Sequence, residues 1–336
     1  MNRSDKPARQ RGVAIVMAML IVALATSVAA YAAWQQNLWM RQSMNLGDQA
    51  QSLVVSRAAL NLGSLALIED LKNPNTSQND HLDEAWAKYN LVTPVEGGGS
   101  VSGKITDSQG LFNVNNLAAT DLVQRGYQLQ WFTAILGKLD LPSELADALQ
   151  DYVDDDTQGP KEDLNYLGKP EPYRTANQPL QNIDELARVE GFDEKVIETL
   201  RPFITAIPEF SPPAPGTSAP PSIPVTPLNV NTAPKEVLEA VFGTTAGPAI
   251  EKLRDDSPFK DDADFEARTN TLLPPVDPQK PAAHPWSPAN IGVKSNYFLI
   301  AAISQFGNTK NGLAALVHRI NPTSWPTTVW QKQILD

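Results

Sequence analysis

Apolar residues open the chain in a single block. Val13 to Trp34 reads VAIVMAMLIVALATSVAAYAAW, 22 residues without a charge, and the uncharged stretch runs from Gly12 to Met40. At about 1.5 Å per residue such a helix spans roughly 33 Å, enough for the hydrocarbon core of a bilayer. Beyond it the apolar positions thin to a stripe. Leu46, Leu53, Leu60 and Leu67 recur every seven residues, and Val54, Ile68 and Leu71 widen the face. Proline is absent from Val13 to Asn73. The pattern predicts one continuous helix over Val13–Leu71, apolar all round and then amphipathic, with local bends at Gly47 and Gly63.

Both flanks of the remaining chain read as strands. Val101–Val114 predicts two short strands around a Ser108-Gln109-Gly110 turn, and Tyr297–Phe306 with Leu313–Ile320 predicts a hairpin across Gly307–Gly312. Thr327–Gln331 predicts a last strand. Between the flanks the pattern is helical, with candidate helices at Asp121–Leu136, Pro142–Val153, Ile183–Glu190, Glu194–Leu200, Pro234–Phe242 and Pro248–Arg254. Pro142, Pro234 and Pro248 suit first turns, and Gly191 and Gly243 suit helix ends. Two proline-rich stretches, 208–227 with eight prolines and 272–288 with six, predict extended connectors. An Asn-Val-Asn core recurs at Asn113–Asn115 and Asn229–Asn231, each before a helix that Asn115, Asn116, Asn231 or Thr232 is placed to cap.

Charge orients the chain. Residues 1–12 hold Arg3, Lys6, Arg9 and Arg11 against Asp5, a basic end that predicts a cytoplasmic N-terminus and a remainder outside the cytoplasm. The whole chain has 27 basic and 38 acidic residues, net −11, which argues against a binder of nucleic-acid phosphates. Without cysteine there are no disulfides and no thiolate metal sites. On composition alone, residues 13–34 fit either a plain uncleaved anchor or the start of a helix that continues into a soluble bundle.

The Arg11-Gly12 end of the leader, the apolar run beginning at Val13 and the long amphipathic continuation resemble the type IV pilin-like superfamily. The resemblance implies that prepilin peptidase cuts after Gly12 and methylates the new amino group of Val13. Most members carry a glutamate five residues after the cut; Met17 stands there in this chain. That departure, with the long insert, resembles the minor pseudopilin K family of type II secretion. The implied fold is α+β: a long N-terminal helix (transmembrane over 13–34, soluble over 35–72), an antiparallel sheet from 73–114 and 291–336, and an inserted helical domain over 115–290. Asn229–Ala233 and Glu185–Phe192 resemble helix-hairpin-helix and SAM-like modules, although the turn Gly191-Phe192-Asp193-Glu194 is acidic, unlike a phosphate-binding one.

Asp151–Asn165, DYVDDDTQGPKEDLN, concentrates six carboxylates within thirteen residues, opposed by Lys161 alone. Asp154-x-Asp156-x-Gln158-Gly159 repeats the opening of an EF-hand loop, but the twelfth position is Asn165 rather than a bidentate glutamate. From the residues alone, a solvated acidic helix end and a cation site both stand. The segment also resembles the pseudopilin K pattern, continued by Pro172-Tyr173-Arg174-Thr175-Ala176-Asn177. That resemblance implies two structural calcium ions, with Asp154, Asp156, Glu162 and Asp163 as ligands, Asp151 and Asn177 as further candidates, and Asp155 turned away.

Gly98–Lys104 imitates a phosphate-binding loop but lacks the following Ser/Thr, and no nucleophile–base set or zinc-protease motif occurs, so no enzyme is expected. Trp286, Trp325 and Trp330 are expected in the core of the sheet domain. The implied role is structural: a tip subunit of the pseudopilus, assembled from the inner membrane with other minor pseudopilins above the major pseudopilin. The competing expectation is a membrane-anchored periplasmic calcium- or peptide-binding module unrelated to pili.

Overall fold

The computed structural model describes residues 11–74, 76–88, 92–212, 221–274 and 285–334. The basic leader through Gln10 and residues 213–220 and 275–284 of the two proline-rich stretches lie outside them.

One helix, α1 (Arg11–Lys72), runs without a break. Every side chain from Val13 to Trp34 is exposed, and the helix is long and apolar enough there to cross a membrane. The soluble half packs on a five-stranded antiparallel sheet in the order β1-β2-β7-β8-β9. Its strands are β1 (Val92–Val95), β2 (Gly99–Asp107), β7 (Tyr297–Phe306), β8 (Thr309–His318) and β9 (Thr327–Ile334). Leu60 and Leu67 enter a core with Ile105, Phe298, Ile300, Leu313, Ala315 and Val317.

The expected stripe is corrected in two places. Leu46 and Val54 are exposed, because Leu46 precedes the first sheet contact near Asp48 and Val54 points away. Serines complete the seam instead: Ser52 and Ser56 are fully buried and meet the Ser304 hydroxyl at 2.7 and 2.9 Å. Gly63 marks a close approach, not a bend, since a Cβ there would lie 2.8 Å from Ile300 Cγ2. Gly63→Leu should therefore lever α1 off the sheet at a cost of about 1–3 kcal/mol, measured by denaturant unfolding, whereas Gly47→Leu, in open space, should cost far less.

β2 and β7 are neighbours, and everything between Asp107 and Tyr297 forms the insert. Phe112–Asn113 and Ile291–Gly292, expected in the main sheet, belong to it. Phe112–Asn113 (β3) pairs in parallel with Ile204–Thr205 (β4), and Leu228–Asn229 (β5) with Ile291–Gly292 (β6). The insert's helices are α2 (Leu122–Lys138), α3 (Glu144–Val153), α4 (Asp163–Leu167), α5 (Glu194–Leu200), α6 (Lys235–Asp256) and α7 (Asp262–Thr269). Residues 183–188 form a 3-10 turn rather than an α-helix. α6 joins the two helices expected on either side of Gly243, whose φ of +88° breaks the run. Gly98–Lys104 passes from the β1–β2 hairpin turn into β2, a strand where a phosphate loop needs a helix.

The Asn-Val-Asn repeat is structural, though not as caps at the expected atoms. Asn113 and Asn229 accept from the amides of Asn115 and Asn231. Asn115 then clasps the backbone of Leu180 with both ends of its amide, and Asn231 clasps Phe259 in the same way. α2 takes its cap from Asp121, and Thr232 donates to Asp107. The tryptophans also fall differently. Trp86 fills the sheet core, Trp286 stacks on Phe242 inside the insert, Trp325 is exposed and Trp330 is half-buried beside Ile207.

The insert sits at the far end of α1 from the membrane segment. Arg319, just past β8, donates to Leu67 and Asp70 near the end of α1, and to Asp80 and Ser295. Asn229 of the insert reaches Asp80, Asp107 and Ser295 at the same junction. The β7–β8 turn lies at the opposite end of the sheet, where a Cβ on Gly307 would touch Asp48.

Candidate metal centre

The acidic segment begins where α3 ends. Leu145, Leu149, Tyr152 and Val153 bury one face of that helix, and Asp151, on a different side of it, is buried as well. Asp154 is its C-cap residue. Carboxylates at a helix C-terminus face the negative end of the helix dipole, so their accumulation there is unfavourable without a compensating positive charge.

Asp154, Asp156 and Glu162 each present an oxygen within 4.8 Å of the others. Asp154 is 1% exposed and Glu162 9%, yet Asp154 Oδ1 and both Glu162 oxygens lack a hydrogen-bond partner. Asn177 Oδ1 is likewise buried and unpartnered. Asn177 is held in a left-handed conformation, φ +45°, by its amide on Tyr152 O and by Nδ2 on Asp156 O. Four orphaned oxygens, three of them on carboxylates, are the donor set a hard divalent cation takes. Burial, reinforced by Asp156, pushes the Asp154 carboxyl up to about 6, and burial with its acidic neighbours raises Asp151 and Glu162.

Asp151 supports the group from below, accepting the Lys161 amide at 2.7 Å. Gly159 lies against that carboxylate so closely that no Cβ fits, which is the use of the glycine in this turn. Asp155 is exposed and stands outside the group. Asp163, expected among the ligands, does not join it. Its oxygens accept from Arg174 Nη1 and from the amide and hydroxyl of Thr175, tying α4 to the strand-like segment that returns to Asn177. Gly12 and Val13 lie in the first turns of α1, far along the chain from this site.

Among the described residues, one other carboxylate group converges, Asp70, Asp80 and Glu84. It is filled by Arg319, whose guanidinium lies 2.8 Å from Asp70 and 2.5 Å from Asp80. Burial pushes Glu84 from 4.5 up to about 8 and Asp80 up to about 6. Acids raised on folding stabilise the fold at low pH and lose that contribution as pH climbs toward their folded values. Glu84→Gln keeps an acceptor for the Trp86 indole, a 2.6 Å bond, and removes the titration. Its melting temperature should match the parent at pH 5 and exceed it at pH 9, as a pair of thermal melts will tell.

The decisive kinship is with a type II secretion system protein K of Pseudomonas aeruginosa, 32% identical over 252 residues, covering 71% of this chain and 70% of that one. The chain belongs to the type II secretion system protein K family. A protein K of Aeromonas hydrophila is 27% identical over 331 residues, 93% of each chain. The family model "Type II secretion system (T2SS), protein K" matches residues 110–209, the half of the insert that holds the acidic turn. Among solved structures, the crystal structure of the GspK-GspI-GspJ complex from enterotoxigenic Escherichia coli is similar to 88% of this chain and 100% of the matched one. Its TM-score is 0.70 at 25% identity. Protein K membership makes the chain a minor pseudopilin of type II secretion, with the α+β pilin-like fold, and sets aside the alternative of a module unrelated to pili. The family is a structural component of the secretion apparatus.

Proposed function

We propose that this chain is the tip subunit of a type II secretion pseudopilus, and that its acidic turn holds calcium. The observation that carries the tip position is the place of the insert. The described residues of the insert cap the end of α1 farthest from the apolar segment, where a subunit stacked above would have to sit. A helical lattice repeats the same neighbours for every subunit, so such a cap suits the last position. Met17, in place of the glutamate that resembling proteins use to meet the subunit above, agrees with it.

The partners proposed are two other minor pseudopilins, as in the GspK-GspI-GspJ complex, with the major pseudopilin below. The chain would be made as a single-pass inner-membrane precursor, cut after Gly12 by prepilin peptidase and methylated on Val13, with residues from about 35 onward in the periplasm. Calcium would be held by Asp154, Asp156, Glu162 and Asn177, with Asp151 shaping the turn. It would supply the positive charge that the orphaned oxygens lack and add its binding energy to the insert's stability. The resemblance implies two ions; the geometry supports one. Co-expression of the full chain with the two companion minor pseudopilins of its own system tests the assembly. A stable complex with one copy of each is expected on size exclusion, and a chain that always elutes alone would overturn the tip reading.

A further inference from the structure

Arg125 is an arginine in the wrong place for a surface helix. It lies in the first turn of α2, only 8% exposed, on a face shared with the buried Gln124 and Gln128. Its Nε donates to Ala119 O at 2.8 Å, which pins the guanidinium from behind. Its Nη1 reaches Asp154 Oδ2 at 3.3 Å and stands 3.9 Å from Asp156 Oδ2, and Nη2 stands 3.9 Å from Asp155. The two other cations of the region are turned elsewhere, Lys161 to Glu190 at 2.8 Å and Arg174 to Asp163 at 3.0 Å.

Arg125 therefore divides the Asp154 carboxylate. One oxygen is occupied by the guanidinium, and the other is left buried without a partner, as are both oxygens of Glu162. One positive charge against Asp151, Asp154, Asp156 and Glu162 leaves an excess of negative charge that still favours a divalent ion. We propose that Arg125 is a positioning residue for the calcium site, a resident counter-ion that fixes the rotation of Asp154 and keeps the turn folded while the metal is away. Only a planar fork can be anchored through Nε while its terminal nitrogens reach two carboxylates, which is why lysine would serve less well. The inference rests on the calcium reading and concerns a residue that would not itself touch the ion.

The test uses the full chain in detergent, stripped of metal and titrated calorimetrically with calcium chloride, beside Arg125→Gln and Arg125→Lys. Loss of an outer partner of a metal ligand weakens metal affinity by about 10- to 100-fold. Arg125→Gln should fall in that range and Arg125→Lys between it and the parent. Without metal, trypsin should cut the Lys161–Glu162 bond faster in Arg125→Gln, and saturating calcium should restore protection. Equal or tighter calcium binding by both variants, with the parent binding normally, overturns the proposal while sparing the calcium reading. So does equal destabilisation with and without calcium, the mark of mere packing. A parent that binds no calcium overturns both. Should Arg125→Gln fail to fold, the lysine variant decides by the same two readouts.

Discussion

Removing calcium from the full chain in detergent is expected to lower its melting temperature by about 5–10 °C, and restoring 1 mM calcium should reverse the loss. A ligand held at 100 times its dissociation constant stabilises the folded state by about 2.7 kcal/mol, and a domain of this insert's size shifts by about 2–4 °C per kcal/mol. The variants carry the sharper expectation. Asp154→Asn and Glu162→Gln should abolish the calcium response, because the first removes a carboxylate with one buried oxygen left unpartnered and the second a carboxylate with both left so. In chelator, however, both should melt at or above the metal-free parent. Burial and neighbouring acids disfavour the ionised forms of both groups, so removing a charge relieves repulsion there. The same cause sets the pH dependence of the stripped parent. Asp154 is raised to about 6, so stability should rise as pH falls through that value and decline above it. A variant that lost stability equally in calcium and in chelator would point to a packing role instead.

Arg319→Met should be the most damaging single change in the chain. Arg319 is 1% exposed, donates to Leu67 O, Asp70, Asp80 and Ser295 O, and lies 4.6 Å over the Phe298 ring. It joins the end of α1, the connection that follows it, and the entrance and exit of the β7–β8 hairpin. Removing one partner of a buried ion pair leaves an uncompensated charge and costs roughly 3–5 kcal/mol. Asp80, already raised by burial against the pull of the guanidinium, would be that charge. A second change, Asp80→Asn, should therefore recover part of the loss, so that the double variant is more stable than Arg319→Met alone. Additive losses in that double-mutant cycle would mean the pair is not coupled.

Much of this molecule could be read from its sequence, for identifiable reasons. The long helix, the β7 strand and α5 have regular periods over enough residues to stand alone. Gly243 broke a helical pattern where a positive φ breaks the helix. What escaped were features set by contacts between distant segments. Ser52, Ser56 and Ser304 look like surface residues, yet small hydroxyls let α1 approach the sheet. α4 and α7 are short and polar, and β3 and β6 pair with partners that no local pattern announces.

The metal site divides in the same way. Charge spacing marked the acidic segment and left it open between a solvated helix end and a cation site; the resemblance singled out Asp154, Asp156 and Glu162, but it did not separate Glu162 from Asp163, which turns to Arg174 and Thr175. Asn177 comes in through a left-handed turn that depends on the Tyr152 carbonyl. Arg125 and Arg319 did leave a trace: a polar stripe at three- and four-residue spacing in α2, and a lone arginine ending an apolar strand.

Mass spectrometry of the mature N-terminus, on the full chain expressed with and without prepilin peptidase, is the most direct test of a pilin-like subunit. A peptide beginning at N-methylated Val13 is expected only when the peptidase is present. Retention of residues 1–12 in both cases, or a cut inside the apolar run instead, would contradict the pilin-like reading.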